Sequence, residues 1–235
     1  MPKFGICGLD DIFPAGGKAS IVDPRLDKLK EMFNSAKKVY TTVEIISDQD
    51  KLSESDGIIA RNNVKLDLII RDLEFVETRL ARAENAGEKA LLEKFKQALE
   101  KEDFLNKQVL SDEEKKLIVS FQLQTTKPIY EVSGQKDWNE LLFKAYKELG
   151  YISFFTAGDK DAHSWPLKKD QSARDAAGVI HSDIQRGFIR AEVVHYKDLI
   201  NCGRISAARQ QGLLTIENKD YVVQDGDWML FRFNK

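Results

Sequence analysis

At 235 residues, with 42% hydrophobic and 31% charged side chains, the chain has the make-up of a folded protein of one large or a few small domains, which excludes wholesale disorder and the collagen-like and mucin-like classes. Thirty-six Lys and Arg against 38 Asp and Glu leave a formal net charge of −2, which excludes nucleic-acid binding by a dominant electrostatic term and confines any RNA contact to a local patch. No run approaches the roughly 18 apolar residues of a membrane span, acidic residues arrive too early for a signal peptide, and Cys7 and Cys202 are too few for a disulfide framework, so a cytoplasmic protein with reduced thiols is expected.

The first apolar run, residues 3–9, suits a buried strand ending near Gly8, followed by the Gly- and Pro-rich loop IFPAGGKAS. Leu26, Leu29 and Phe33 then recur at helical spacing, YTTVEIIS resumes a β-branched strand pattern, and GIIARN adds a further short strand. From Asn63 the pattern changes. Leu66, Ile69, Ile70, Leu73, Val76 and Leu80 form the stripe of an amphipathic helix, Asn85-Ala86-Gly87 breaks it, and Leu91, Leu92, Phe95, Ala98, Leu99 and Leu105 restart it, predicting an antiparallel helical hairpin. Ser111 three residues before Glu114 predicts a capping box and another short helix. KPIYEV reads as a strand, and Trp138, Leu141, Leu142, Ala145, Tyr146 and Leu149 as one face of a helix that Gly150 ends.

After Tyr151 the elements are short and mixed: strands at YISFFT, WPLKK and FIRAEVVHY, a small helix over ARDAAGVI, helical turns to Gln211, and YVV and WMLFRF flanking an Asp225-Gly226 hairpin-turn signal. Strands wrapped round a small helix point to a β-grasp. Within it, FFTAG at 154–158, AAGVIHSDIQRGFIRAEV at 176–193 and KDYVVQDGDWMLFRFN at 219–234 resemble signature segments of the YchF, or Obg-like, branch of P-loop GTPases and ATPases. FGICGL, VDPRLDKL, YTTVEI and LQTTKP extend the similarity in patches over most of the chain. The resemblance implies a G domain, an inserted helical hairpin and a C-terminal ubiquitin-like TGS domain, in proteins considerably longer than this one.

The expected fold is therefore α+β with an α/β remnant. Residues 1–62 and 123–150 form a reduced P-loop-like layer, 63–122 the coiled-coil-like hairpin and 151–235 the TGS-like β-grasp. The nucleotide motifs are degraded. A P-loop needs Gly-x4-Gly-Lys-Ser/Thr, in which amides cradle phosphate, Lys neutralises it and the hydroxyl holds Mg²⁺. Counted from Gly8, those last three positions hold Phe13, Pro14 and Ala15, beside the acidic Asp10 and Asp11. Counted back from Gly17-Lys18, the first glycine is Ile12 and the hydroxyl position Ala19. The family's Asp-x-x-Gly falls near Ser47 to Asp50 without a glycine, and its base-reading Asn-x-x-Glu on Gly134 to Asp137 without the amide.

These losses favour a pseudo-GTPase with no cofactor and no catalytic residue, an adaptor that docks on ribosome, RNA or a protein partner through its TGS and hairpin surfaces. The alternative is a protein that binds or weakly hydrolyses ATP or GTP with Mg²⁺ through an atypical loop of Gly16, Gly17 and Lys18. His163, His181 and His195 lack the company of a zinc site, and Asp183 and Asp225 lie in turn-like sequence where Asp serves backbone hydrogen bonds. For RNA or partner contact the candidates are Trp165, Lys168, Lys169, His181, Arg186 and Arg190, since phosphate-neutralising cations beside an aromatic plane suit RNA.

Overall fold

The computed structural model describes residues 1–234 apart from Asp10, Pro14, Ala15, Gln135 and Lys136. In chain order the N-terminal half holds β1 (Lys3–Cys7), β2 (Gly17–Ile21), α1 (Arg25–Met32), β3 (Lys37–Val39), β4 (Thr41–Ile46), β5 (Gly57–Arg61), α2 (Lys65–Leu80), α3 (Ala86–Glu100) and α4 (Asp112–Ile118). There follow β6 (Ile129–Val132), α5 (Trp138–Glu148), β7 (Tyr151–Ala157), β8 (Asp161–Lys168), α6 (Ala173–Ile180) and α7 (Ser182–Arg186). The chain closes with β9 (Phe188–His195), α8 (Tyr196–Cys202), α9 (Ile205–Gln210), β10 (Thr215–Glu217) and β11 (Asp227–Phe233). This is a mixed α/β fold with two sheets, of order β2-β4-β1-β5-β6 and β10-β9-β11-β7-β8-β3. It separates into two compact units, residues 2–18 with 44–141, and residue 1 with 19–43 and 142–235. No described helix is long and apolar enough to cross a membrane.

In the first unit β1 runs parallel to β4 and β5, and β5 parallel to β6. Four of the five β1 residues are buried, as a parallel strand with both faces covered requires. The helical hairpin forms as the periodicity predicts. Its core joins Ile69, Val76, Leu91, Leu92, Phe95 and Leu99 to Phe104 and Phe121. Asn85 acts as the N-cap of α3, its side chain accepting from the Glu88 N–H at 3.1 Å, so the predicted break is the start of the return helix. The Ser111–Glu114 capping box is present in both directions. Leu66 and Ile70, expected on the buried stripe, are instead exposed, while Leu68 and Asp72 are buried. The first turns of α2 face β1 and β5 as well as α3, with Leu68 packed beside Cys7, Leu52, Ile58 and Ala60, and this turns the buried face.

The second unit covers both faces of its sheet. On one face Phe154, Leu167, Val193 and Met229 meet Ala173, Ala176 and Ala177 of α6, whose small side chains let helix and sheet approach closely. On the other, Phe155, Val194 and Trp228 meet Leu26 and Leu29 of α1, Leu199 of α8 and Ala208 of α9. Residues 19–43, which the sequence places with the N-terminal layer, thus supply this unit with a helix and, through the β3 pairing with β8, its edge strand. Gly150 ends α5 at φ +83°, as predicted.

Two further expectations change. The segment GKAS, read as loop, is the edge strand β2. Asp225-Gly226 makes a turn, with Gly226 at φ +102°, but not a hairpin: of the preceding YVV only Val222 pairs, in an isolated bridge to Ser172, and β11 pairs with β9 and β7.

Candidate functional site

In an open parallel sheet, ligands bind beyond the C-terminal ends of the strands. At the end of β1, Gly8 adopts φ +67°, and a Cβ there would lie 2.9 Å from Val64 Cγ1, so the chain turns close against residues 62–64 only because this residue is glycine. The following loop is tied down by side chains that do not suit phosphate. Asp11 Oδ2 accepts from Arg61 Nη2 at 2.7 Å, and this bond holds the carboxyl below its usual range. Phe13, at the position of the family's second P-loop glycine, stacks on Trp138 at 4.3 Å between ring centroids. Pro14 and Ala15, at the lysine and hydroxyl positions, and Asp10 lie outside the described residues.

Beside this loop a cavity of about 480 Å³ is lined by Gly8 and Gln49 and by Asp67, Arg71 and Glu74. Its charged lining sets two carboxylates against one guanidinium. Where the family's Asp-x-x-Gly would run, Gln49 opens a 3-10 helix capped by Asp48. Its Nε2 donates to the Ile6 carbonyl at 3.1 Å and its Oε1 accepts from Cys7 Sγ at 3.3 Å, so the side chain braces β1. At the Asn-x-x-Glu position, Asp137 caps α5 by accepting from Glu140 N–H at 2.8 Å, whereas Gln135 and Lys136 lie outside the described residues.

Gly16, Gly17 and Lys18 are exposed at the entry of β2, with Gly17 at φ +139°. They lead into an extended strand, and α1 begins only at Arg25, so the trio does not itself open a helix as a P-loop does.

The contact candidates in the second unit separate into two groups. Trp165 lies within β8, donates Nε1–H to Thr156 Oγ1 at 3.0 Å and stacks on His163, 3.6 Å away, whose pKa burial lowers. Lys168 follows at the end of the same strand, its ammonium 5.6 Å from the Tyr151 ring, and exposed Lys169 donates its amide to Gly150. The second group gathers where β9 begins and β11 ends. His181 and Arg186 line a groove with Ile184, Gly187, Phe233 and Asn234. His181 Nδ1 accepts from Asp183 N–H at 3.1 Å, and Asp183 pairs with Arg186, which holds the carboxyl below its usual range. Arg190 stands on β9 directly opposite Arg232 of β11. Arg232 and Arg209 are not evident in sequence because only the β9–β11 register sets Arg232 opposite Arg190 and only the packing of α9 brings Arg209 onto Glu192.

Gly187 shapes this end of the sheet. A Cβ on it would lie 1.9 Å from the Asn234 carbonyl oxygen, while Asn234 N–H donates to the Gly187 carbonyl at 2.9 Å. Gly187→Ala therefore forces two backbones apart, and urea unfolding is expected to show a loss of about 1–3 kcal/mol.

Residues 151–234 match the family model YchF-GTPase_C, described as a protein of unknown function (DUF933). The chain is 26% identical to the ribosome-binding ATPase YchF of Bacillus subtilis over 338 residues, covering 99% of this chain and 92% of that protein. An alignment of that length leaves gaps opposite a chain of 235. The ribosome-binding ATPase YchF of Haemophilus influenzae is 44% identical over 96 residues, 41% of this chain and 26% of that protein. In structure the chain is similar to the Schizosaccharomyces pombe YchF GTPase, with a TM-score of 0.79 at 20% identity over 98% of this chain and 97% of that one.

Proposed function

Because the chain belongs to the YchF family, we propose that it docks on the ribosome, as its relatives' names describe for them, but as a non-catalytic adaptor. The observation that carries this reading is the end of β1. There Asp11 is paired with Arg61, Phe13 is packed on Trp138, and the neighbouring cavity presents Asp67 and Glu74, where the nucleotide chemistry of a P-loop needs a lysine and a ring of free amides. Gaps opposite the longer relatives support a shortened nucleotide-binding layer.

The three-part design fits the same reading. The strand order β8-β7-β11-β9-β10, with β7 parallel to β11 and α6 packed across it, supports a TGS-type β-grasp over residues 151–235. Residues 63–122 supply the hairpin, whose Arg71, Glu74, Arg79 and Glu88 line a groove suited to a protein partner, and 2–18, 44–62 and 123–141 the reduced layer, without the residues 19–43 and 142–150 that the sequence assigns to it.

The second reading, nucleotide binding at Gly16 to Lys18, is favoured by the exposed Lys18 beside a glycine of positive φ and by the word ATPase in the relatives' names. Cosedimentation with ribosomes, calorimetric titration with Mg²⁺-ATP and Mg²⁺-GTP, and phosphate release decide between them. The adaptor reading expects pelleting with ribosomes and no heat or phosphate release at millimolar nucleotide. Binding that Lys18→Ala abolishes would instead establish the second.

A further inference from the structure

We propose that the sheet face formed by Arg190, Arg209 and Arg232 around Glu192 is the surface through which this protein contacts the RNA backbone; the proposal deepens the ribosome-docking reading and rests on it. In the antiparallel β9–β11 ladder Arg190 faces Arg232 and Glu192 faces Leu230, and in β9–β10 Glu192 faces Ile216, so these side chains share one face of the sheet. Beyond it that face is roofed by α8 and α9 over Val194 and Trp228, but here it is open. Leu230 is 38% and Ile216 63% exposed.

Charge then distinguishes this face from an ordinary solvated one. Glu192 is nearly buried, and its two oxygens are both taken: Oε2 by Arg209 Nη2 at 2.6 Å, Oε1 by Arg232 Nη2 at 3.0 Å and Nε at 3.2 Å. It is the sole carboxylate that β9, β10 and β11 place on this face among the described residues, against three guanidinium groups. Like charges directly opposite each other in a sheet repel, and Arg190 stands opposite Arg232.

Glu192 does not cancel the patch but orients it. It pins Arg209 and Arg232 by one edge while leaving their side chains 61% and 51% exposed, with donors turned outward. Fixed guanidinium forks match phosphate oxygens two at a time, which a flexible lysine does not. Exposed Leu230 and Ile216 offer apolar area for sugar and base faces. A polyanion of regularly spaced phosphates relieves the repulsion and fills the forks together. The Trp165, Lys168 and Lys169 group lacks this arrangement, since its indole N–H and ring are already engaged within the fold.

The test uses the full chain with Arg190→Gln and Arg232→Gln together, Glu192 left intact. Two readouts are taken: cosedimentation with ribosomes, and fluorescence anisotropy of a labelled single-stranded oligo(U) RNA across a salt series. The double variant is expected to bind both at least about tenfold more weakly at low salt, with the slope of log K against log[salt] reduced by about 1.4, one phosphate contact contributing about 0.7 on a single strand. Arg232→Gln also takes two hydrogen bonds from Glu192, so the double variant should unfold somewhat lower; Arg190→Gln alone relieves the like-charge pair with the bonds to Glu192 left in place, and should unfold no lower than the unmodified protein while still lowering the salt slope by about 0.7, which separates a binding role from a structural one. Arg190→Lys with Arg232→Lys should keep the salt slope while losing part of the affinity.

If the unmodified protein pellets with ribosomes and the double variant does so equally, this surface is not the RNA contact, although ribosome docking stands. If the unmodified protein does not pellet with ribosomes, the docking reading itself fails. Capture of poly-glutamate as tight as that of oligo(U), lost in the same variant, would assign the face to an acidic protein and overturn the RNA proposal.

Discussion

Arg25→Ala is expected to destabilise the second unit by about 3–5 kcal/mol, the cost of breaking a buried ion pair by removing one partner. Arg25 is 18% exposed and bonds two carboxylates at once. Its Nε and Nη2 reach Asp23 at 3.0 and 2.7 Å, and Nη1 and Nη2 reach Asp225 at 2.9 and 3.0 Å. Burial works against the Arg25 charge, but the bonds to Asp23 and Asp225 outweigh it and leave its pKa raised. The Asp23 side chain is fully buried, so alanine at 25 leaves its carboxylate the backbone N–H of residue 25 but takes away the guanidinium that neutralises it. Asp225 keeps Lys147 at 3.3 Å and the Ser153 N–H at 3.0 Å, and suffers less.

Two controls follow. Asp23→Asn added to Arg25→Ala removes the stranded charge and should restore part of the loss, a coupling that a double-mutant cycle reads directly. The pH dependence should also change. Burial pushes Asp225 up, yet Arg25 brings its pKa below the ordinary value, so its contribution is present above about pH 3.9 and is lost as pH falls through the lower folded value. Arg25→Ala should flatten that acid limb in urea titrations between pH 2 and 5.

This network also shows what the sequence reveals and what it hides. Asp225 is legible as a residue serving backbone hydrogen bonds, and the Ser153 N–H bond is of that kind. Its main partner stands 200 positions earlier, in a segment whose helical spacing says only that Leu26 and Leu29 are buried, not against which sheet. Local signals read well where a single turn or cap fixes the outcome, as at Ser111 and Gly150. They fail where pairing is imposed from outside: Gly17 to Ser20 have low strand propensity and become β2 by lying beside β4. Leu66 and Ile70 fail for a related reason, because one helical period cannot say which of two neighbours a helix will face. The candidate contact residues follow the same rule. Arg190 is visible in sequence as a cation among strand residues, but its relation to Arg232 exists only once β9 and β11 are in register.

Asp72 carries the other large expectation. It is 2% exposed on α2, and its carboxylate accepts three hydrogen bonds from the LQTTKP segment: Gln124 N–H at 2.8 Å, Thr125 N–H at 2.7 Å and Thr125 Oγ1–H at 2.6 Å. The two backbone donors have no ladder to fall back on, since this stretch lies between α4 and β6. Asp72→Ala leaves them buried and unpaired, and at about 1–3 kcal/mol for each stranded donor a loss of about 3–4 kcal/mol is expected in chemical denaturation. Burial raises the Asp72 pKa, and the three donated bonds only partly offset this. A raised carboxyl favours the folded state fully below its unfolded pKa of about 3.9, and that advantage is lost as pH rises through the folded value. Asp72→Asn, which cannot ionise but presents one acceptor where the aspartate presents two, should therefore cost less than alanine and show no such falling limb. If alanine and asparagine were equally destabilising and shared the unmodified protein's pH profile, the carboxylate would not be what ties residues 124–125 to the hairpin.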